Sequence, residues 1–342
     1  MMDAQRIPLS DGRDLATRVV TYPIPSDEQR VLIDLWRTAW PRANNCDWLA
    51  AMSGDYADSL TIQTVVGAVD GVPVGTASNH YSVRDPQVAV IGSVLTHPDL
   101  RGLGIGRHLT AAATKLAFDA GCGVAYLATG RRPDSLYLRC GFHWYNGGVM
   151  RCPAPGHDAC EDELYAAGQI TTIRPAVWGD LPAMACLYAQ PLETFVLDYP
   201  RGYVSGKYDR LGLCASVFPR VHDEVAGRGG AMLMVVGDAA HNMLGFGSIT
   251  PEPAPSRRHL AILDAVVHDD YADRLESLVG RLVAEAQPLE VQALQAFVAE
   301  PDGPKRDCFS EAGFQPVTRL SDQLRVGDRR VDVELMEKRL DD

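Results

Sequence analysis

The sequence lacks the features that place a protein in a membrane or route it out of the cell. No apolar run among its 342 residues approaches the roughly 18 residues that a membrane-spanning helix needs. Residues 1–17 are polar and contain no hydrophobic segment of the kind found in signal peptides. We therefore expect a cytoplasmic protein without a membrane partner.

The sequence also has little that would bind metal, form a disulfide framework or attract nucleic acid. Its eight cysteines include no Cys-x-x-Cys pair and its histidines show no metal-ligand spacing, so no metal site is expected. The net charge of −12 argues against nucleic acid as a partner, because phosphate backbones call for basic patches. A cationic acceptor such as an amine is compatible with this charge.

What the sequence does contain is a repeat with a period of about half the chain, a length that also suits two domains. A hairpin pattern at residues 66–75, centred on Asp70-Gly71, recurs at residues 236–245, offset by 170. Residues 94–100 answer to 265–271, offset by 171, and Gly141-Phe142 answers to Gly313-Phe314, offset by 172. The slowly drifting offset predicts a duplicated domain.

Strands and helices are interspersed in the first half, which predicts an α/β (α+β) layer architecture for each domain. The predicted domains are 1–152 and 172–342, joined by a linker at 153–171 that is rich in Pro, Gly and acidic residues. The elements predicted for the first half are helices at 26–40, 47–59, 104–120 and 136–140 and strands at 61–69, 72–82, 87–96 and 124–129.

The most informative stretch is the glycine-rich turn at residues 101–106, between a predicted strand and an amphipathic helix. Glycines at such a turn let backbone N–H groups approach a phosphate, and the helix N-terminus favours an anion. Arg101 and Arg107 can add charge-assisted hydrogen bonds to the same phosphates. The turn has neither the Gly-Lys-Ser/Thr of a P-loop nor the spacing of a Rossmann fingerprint.

This turn resembles motif A of the GNAT N-acetyltransferase superfamily, Arg/Gln-x-x-Gly-x-Gly/Ala, which Arg101, Gly104 and Gly106 match. A second stretch, Tyr137-Leu138-Arg139-Cys140-Gly141-Phe142, resembles the family's motif B, in which a Tyr lies four residues before Gly-Phe. The resemblance covers nearly all of residues 18–152 and, more weakly, residues 172–340. It implies two GNAT-type domains, each with a mixed, splayed β-sheet flanked by helices.

The resemblance further implies acetyl-CoA or another acyl-CoA as co-substrate, with no metal. In this family the strand before motif A splays from its neighbour, and its backbone holds the pantetheine arm and polarises the thioester. The residues that it assigns to acyl-CoA are Val94, Leu95, Thr96, Arg101, Gly102, Leu103, Gly104, Ile105, Gly106 and Arg107.

Tyr137 matches the family's general acid, which protonates the leaving thiolate of CoA; a phenol of pKa about 10 can protonate a thiolate whose conjugate acid has a pKa of about 8.5, because the two values are close. The base is open, since the strand at residues 87–94 has no acidic residue where many relatives place a Glu. A water relay, His80 or an acid lent by the second domain are the alternatives.

The family builds its acceptor pocket largely from the first two helices and their loop. In this sequence that region is rich in tryptophan and asparagine, which could line a pocket for a ring-containing or sugar-like acceptor or could belong to the core. The acceptor-site candidates are Trp36, Trp40, Asn44, Trp48 and His80.

The second half has lost both motifs. Ala272, Asp273, Leu275 and Ser277 stand where the first half has Arg101, Gly102, Gly104 and Gly106, and Phe309 replaces the motif B tyrosine. Side chains at the turn would obstruct a pyrophosphate and Asp273 would repel it, so a scaffold role is expected. A fused, degenerate copy could substitute for the dimer partner common in the family, which predicts a monomer.

The sequence therefore predicts an enzyme that moves an acetyl or longer acyl group from CoA to a primary amine of a small molecule, such as an amino sugar or antibiotic-like metabolite. A protein lysine or N-terminal amine is the alternative acceptor. An acyl-CoA-binding sensor without turnover is the alternative from another class. The sequence does not reveal the acceptor, the acyl length or the base.

Overall fold

The computed structural model describes residues 5–41, 46–129, 135–210, 217–238 and 242–340. Two mixed sheets flanked by helices dominate it, which confirms the predicted α/β (α+β) class.

The bounds of the elements are close to those predicted for the first half. The helices are α1 (Ser26–Arg37), α2 (Cys46–Ser53), α3 (Ile105–Asp119), α4 (Ser135–Leu138), α5 (Cys160–Leu164), α6 (Leu181–Ala189), α7 (Val217–Ala226), α8 (Leu275–Glu285) and α9 (Gly303–Glu311). The strands are β1 (Gln5–Pro8), β2 (Asp14–Thr21), β3 (Leu60–Val69), β4 (Val72–Ser82), β5 (Val88–Thr96), β6 (Val124–Ala128), β7 (His143–Asn146), β8 (Val149–Pro153), β9 (Thr171–Pro175), β10 (Val196–Asp198), β11 (Tyr203–Val204), β12 (Ala231–Gly237), β13 (Met243–Pro251), β14 (Leu260–Val267), β15 (Ala293–Ala299), β16 (Gln315–Val326) and β17 (Arg329–Arg339).

The first sheet has eight strands in the order β1-β2-β3-β4-β5-β6-β8-β7. Strands β3 and β4 form the predicted hairpin, in which Asp70 (φ +50°) and Gly71 (φ +80°) both adopt the left-handed conformation that a tight two-residue turn requires. Strand β5 is antiparallel to β4 and parallel to β6.

The second sheet repeats this order. Its seven strands run β9-β12-β13-β14-β15-β17-β16, so each has a counterpart from β2 onward in the first sheet. The parallel pair β14/β15 joins three residues of each strand, as the pair β5/β6 does. The shared strand order is the one that a duplicated domain would give.

The chain divides into two compact units. The first comprises Met1–Trp144, Met150–Cys160 and Val177–Pro182, and the second comprises Tyr145–Val149, Glu161–Ala176 and Ala183–Asp342. Two short segments thus fall on the other side of the predicted boundaries.

Contacts within each unit hold these two segments in place. Within the first unit, the Trp178 ring stacks on Tyr56, with centroids 3.6 Å apart, and the Gly179 N–H donates to Ser59 Oγ at 3.0 Å. Within the second unit, the Asn146 side chain donates to the carbonyls of Ala189 and Gln190 at 3.1 and 3.0 Å. None of these pairs is local in sequence.

Helix α3 anchors the core of the first unit. Its face of Ile105, Leu109, Ala113 and Ala117 is at most 1% exposed and packs on the sheet. This spacing of apolar residues at three and four positions is what makes the helix amphipathic and fixes its N-terminus against the end of β5. Within the described part of the chain, no helix has the length and apolar character needed to cross a membrane.

Candidate acyl-CoA site

The glycine-rich turn contains the first backbone N–H groups of helix α3. After β5 the chain makes a short 3₁₀ turn, Pro98–Leu100, and helix α3 then begins directly after Gly104. Gly102 (φ +88°) and Gly104 (φ +85°) are both in the left-handed region, which explains glycine at these two positions. Among the described residues no side chain caps the helix, so its first N–H groups can bind an anion.

A cavity of about 650 Å³ lies over this turn, and all the residues that line it belong to the first unit. It brings together all ten residues predicted to bind acyl-CoA, with Tyr137 and Trp40. The described lining contains three arginines and no carboxylate, which suits a ligand with phosphate groups. Residues of the lining that the sequence prediction missed are Ser10, Ala39, Leu100, Thr129, Leu136 and Arg139.

Arg139 is the missed residue with a recognisable signal, because it lies within motif B, two positions after Tyr137. Leu100 and Leu136 adjoin Arg101 and Tyr137 in the sequence, whereas only the fold brings Ser10, Ala39 and Thr129 to this cavity.

Strand β5 separates from β6 beside the cavity. The two strands pair only at Val88, Ala89 and Val90, although β5 continues to Thr96. The later part of β5 is therefore not paired on that edge within the described ladder, and its backbone groups face the opening. Val94, Leu95 and Thr96 line the cavity.

A β-bulge interrupts β5 at the same place. Thr76 pairs with Leu95 and Ser78 pairs with Gly92, so β5 has one residue more than β4 across this step. Ser93 adopts φ +50°, a conformation that non-glycine residues seldom take. The bulge changes the direction of the strand immediately before the residues that line the cavity.

Tyr137 lies on the short helix α4 at the cavity wall. Its ring meets that of Phe142 edge-on, with centroids 6.4 Å apart, and the Phe142 N–H donates to the Tyr137 carbonyl at 3.1 Å. Gly141, at φ +89°, makes the turn that allows this contact. The Gly-Phe pair of motif B thus supports the tyrosine from behind.

The acceptor-site candidates separate into different environments. Trp40 lines the cavity. Trp36 is 2% exposed, and its indole Nε1 donates to Thr76 Oγ1 at 3.0 Å, so it belongs to the core between α1 and the sheet. Asn44 lies outside the described residues, as does the side chain of Trp48, which is on α2.

His80 is buried in strand β4, and a ring nitrogen lies 3.1 Å from the Val90 carbonyl. Burial lowers the pKa of His80 to about 4, against the opposing effect of this hydrogen bond. The residue is absent from the cavity lining in the described part of the chain. The role of His80 as base or acceptor contact stays a prediction, and the base stays unassigned.

The second unit keeps the frame of this site. The His268 N–H donates to the Leu244 carbonyl at 2.8 Å, as His97 does to Val74 at 2.7 Å. The Phe314 N–H donates to the Phe309 carbonyl, the same contact that links Phe142 and Tyr137.

The second unit differs at the positions that would bind phosphate. Its strand β14 pairs with β13 without a register shift. A cavity of about 640 Å³ lies at the corresponding turn, but one lysine, Lys305, faces seven acidic residues there. These are Glu193, Asp269, Asp273, Glu276, Asp302, Asp307 and Glu311. A concentration of carboxylates opposes the binding of phosphate groups.

No group of three or more His, Cys, Asp or Glu side chains suited to a metal ion occurs among the described residues.

Comparison with known proteins gives a family match for part of the first half of the chain. Residues 29–142 match the profile of the Acetyltransferase (GNAT) family. No curated protein is significantly similar to the chain in sequence.

Similar solved structures each align with about half of this chain. A ribosomal-protein-alanine N-acetyltransferase from Brucella melitensis is 20% identical over 49% of this chain and 99% of its own, with a TM-score of 0.42. A phosphinothricin acetyltransferase from Sinorhizobium meliloti, in complex with acetyl-CoA, is 14% identical over 50% of this chain and 88% of its own, with a TM-score of 0.43. The likeness of this chain to the GNAT acetyltransferase family is thus the match of residues 29–142 to the family profile.

Proposed function

We propose that the first unit transfers an acetyl or longer acyl group from acyl-CoA to a primary amine of a small molecule. The observation that carries this proposal is the single cavity that gathers the glycine-rich turn, the end of β5 and Tyr137. The acetyltransferase profile matched by residues 29–142 supports the same chemistry.

Each part of the cavity suits one part of acyl-CoA. The pyrophosphate binds the N–H groups at the start of α3, with Arg101 and Arg107 beside it. The pantetheine arm then runs along the unpaired edge of β5 at Val94 and Leu95. Oriented backbone donors on this strand stabilise the oxyanion that forms when the thioester is attacked.

The reaction needs one nucleophile and one proton donor. The amine nitrogen attacks the thioester carbonyl, forming the C–N bond, and the C–S bond breaks as CoA leaves as a thiolate. The nitrogen also loses one proton, which passes to solvent water or to a base that stays unassigned. Tyr137 donates its phenolic proton to this sulfur. Its place on the cavity wall, supported by Phe142, suits that role.

A thiol-release assay with acetyl-CoA and an amine panel tests the proposal. The panel contains an amino sugar, an aminoglycoside, a polyamine and a lysine peptide, and a reaction without acceptor gives the background. We expect thiol release above background with at least one small amine, and a mass increase of that amine by one acetyl group.

Other outcomes of the same assay discriminate the alternatives. Release only with the peptide would indicate a protein acceptor. Tight binding of acetyl-CoA without release from any acceptor would indicate a sensor, and both results would contradict the proposal.

A further inference from the structure

A chain of two hydrogen bonds lies behind the bulge in β5. The indole Nε1 of Trp36 donates to Thr76 Oγ1 at 3.0 Å, and Thr76 Oγ1 donates to the Ser93 carbonyl at 2.7 Å. Trp36 is 2% exposed and Thr76 is fully buried. These two hydrogen bonds therefore connect helix α1, through strand β4, to the bulged residue.

The chemistry of the hydroxyl fixes the direction of this chain. A threonine hydroxyl has one proton to donate, and an indole N–H can only donate. Because Trp36 supplies a donor to the oxygen of Thr76, the hydroxyl proton is left for the Ser93 carbonyl. Loss of either partner would leave a buried polar group unsatisfied, at a cost of about 1–3 kcal/mol.

Ser93 needs such a restraint. Its φ of +50° is disfavoured for a side chain with a Cβ, by about 1–2 kcal/mol. The hydrogen bond from Thr76 holds the carbonyl of this residue in the bulged arrangement. The next two residues, Val94 and Leu95, line the cavity, so the restraint acts directly on the backbone that faces the ligand.

The second sheet provides a comparison within the same chain. Phe246 stands where Thr76 stands, since it pairs with Val266 as Thr76 pairs with Leu95. A phenylalanine cannot make the hydrogen bond. Strands β13 and β14 pair there without a bulge, from Gly245↔Val267 to Pro251↔Ala261.

We propose that Thr76 and Trp36 are positioning residues that hold the β5 bulge, so that the backbone at Val94 and Leu95 faces the thioester end of acyl-CoA. The inference rests on the proposed function. It gives Trp36 a task different from the acceptor binding that its place in the sequence predicts.

Two ligands separate this role from a general effect on the fold. Acetyl-CoA reaches from the glycine-rich turn to the bulge, whereas 3′-phospho-ADP contains only the nucleotide and pyrophosphate that bind at the turn. For Thr76→Val, which removes the hydroxyl and keeps the shape, we expect a Kd for acetyl-CoA raised about 10-fold, the equivalent of one lost hydrogen bond. The Kd for 3′-phospho-ADP should stay within about 2-fold of wild type.

Three further variants complete the calorimetric test. Thr76→Ser keeps the hydroxyl and should restore acetyl-CoA affinity to within about 3-fold of wild type. Trp36→Phe removes the indole donor together with part of the ring, and it should raise the Kd for acetyl-CoA in the same direction as Thr76→Val. Ser78→Ala is the control, because it removes a buried hydroxyl of the same strand that bonds to Thr64 at 2.8 Å rather than to the Ser93 carbonyl.

The outcomes are distinct. Unchanged acetyl-CoA affinity in Thr76→Val, or equal weakening of both ligands, would overturn the positioning role. If Thr76→Val does not fold, the same two results for Trp36→Phe decide the question. A wild-type protein that binds neither ligand would refute the proposed function itself, a failure visible before any variant is measured.

Discussion

At the scale of single residues, the proposed function assigns binding and chemistry to different groups of the cavity in the first unit. The groups at the glycine-rich turn are backbone N–H groups and arginines, which hold phosphates without changing protonation. Tyr137, which belongs to the second motif, has a phenolic O–H whose proton can be transferred. Removal of that proton alone should therefore slow turnover with little effect on binding.

For Tyr137→Phe we predict that kcat falls by about 10²- to 10⁴-fold, with at most a modest change in KM for acetyl-CoA. Steady-state kinetics with the best amine of the panel, supported by single-turnover measurements, give both parameters. Tyr81→Phe is the control, since Tyr81 packs against the same core but does not contribute to the described cavity lining. An unchanged kcat for Tyr137→Phe, with chemistry rate-limiting, would refute the acid role.

The burial of His80 leads to a prediction about how stability depends on pH. Its pKa is lowered to about 4 in the folded protein, whereas an unfolded chain restores the ordinary value of about 6.5. The unfolded state therefore binds a proton more readily, and the free energy of unfolding falls as pH falls from about 6.5 to about 4. The full effect of this one group amounts to about 3 kcal/mol.

Urea unfolding at a series of pH values checks this. The free energy of unfolding of the wild type should fall more steeply between pH 6.5 and 4 than that of His80→Asn. Above pH 7 the two free energies should change with pH in parallel. The same substitution at the exposed His143 is the control. Parallel curves for wild type and His80→Asn throughout would show that His80 is not buried as a neutral ring.

At the scale of elements, local patterns in the sequence predict much of the first unit and few of its long-range contacts. Helix α3 is predicted at 104–120 and observed at Ile105–Asp119, and strand β4 has the predicted bounds. Helix α2 ends earlier than the predicted residue 59, because Gly54 adopts φ +94° just after it.

Contacts between distant segments are what the sequence prediction could not supply. The partner of Trp36 lies 40 residues away on β4, and its apolar neighbours on α1 do not reveal it. The bulge at Ser93 is marked in the sequence only by the neighbouring Gly92, a lone glycine inside a strand, which the sequence prediction did not interpret. The Trp36–Thr76 contact and the bulge depend on strand pairing and on the burial of one hydroxyl. Neither of these causes produces a periodic pattern in the sequence.

Strand β14 of the second unit shows how the duplicated element changed. Asp264, 6% exposed, lies in the part of β14 that corresponds to the bulge and accepts from the Tyr199 N–H at 2.7 Å. It also forms a buried ion pair with Lys305, which is 4% exposed. An ion pair thus stabilises the strand where the first unit has the opening for a ligand.

For Lys305→Met we predict a loss of about 3–5 kcal/mol in the free energy of unfolding, because the substitution leaves Asp264 as a buried charge without its counter-charge. Adding Asp264→Asn should recover part of the loss. Lys115→Met, which breaks an exposed pair with Asp119, is the control and should cost less than about 1 kcal/mol. Chemical denaturation measures all three, and a cost below about 1 kcal/mol for Lys305→Met would contradict the account of this pair.

At the scale of the whole molecule, one strand order occurs twice, with different residues around the corresponding turn. Both sheets have the same strand order from β2 and β9 onward. The first unit has glycines, arginines and an uncapped helix at the turn, while the described lining of the second has seven carboxylates. The electrostatics of the two cavities are opposite in sign, so they should not bind the same ligand.

The asymmetry also predicts what a partial repair would do. Glycines introduced at Leu275 and Ser277 would remove two side chains from the second turn. Asp273 would remain, and no arginine would stand where the first unit has Arg101. We therefore expect the repaired second unit to bind acyl-CoA poorly still.

The measurement that tests the central claim most directly is a calorimetric titration of the intact chain with acetyl-CoA. We predict a stoichiometry close to one site per chain. Gly104→Val should abolish that site, because a branched side chain is disfavoured at φ +85° and would stand where the pyrophosphate approaches the backbone. Gly280→Val, at an exposed glycine of α8 in the second unit, should leave it intact. Two equivalent sites, or binding retained in Gly104→Val, would contradict the assignment of acyl-CoA to the first unit alone.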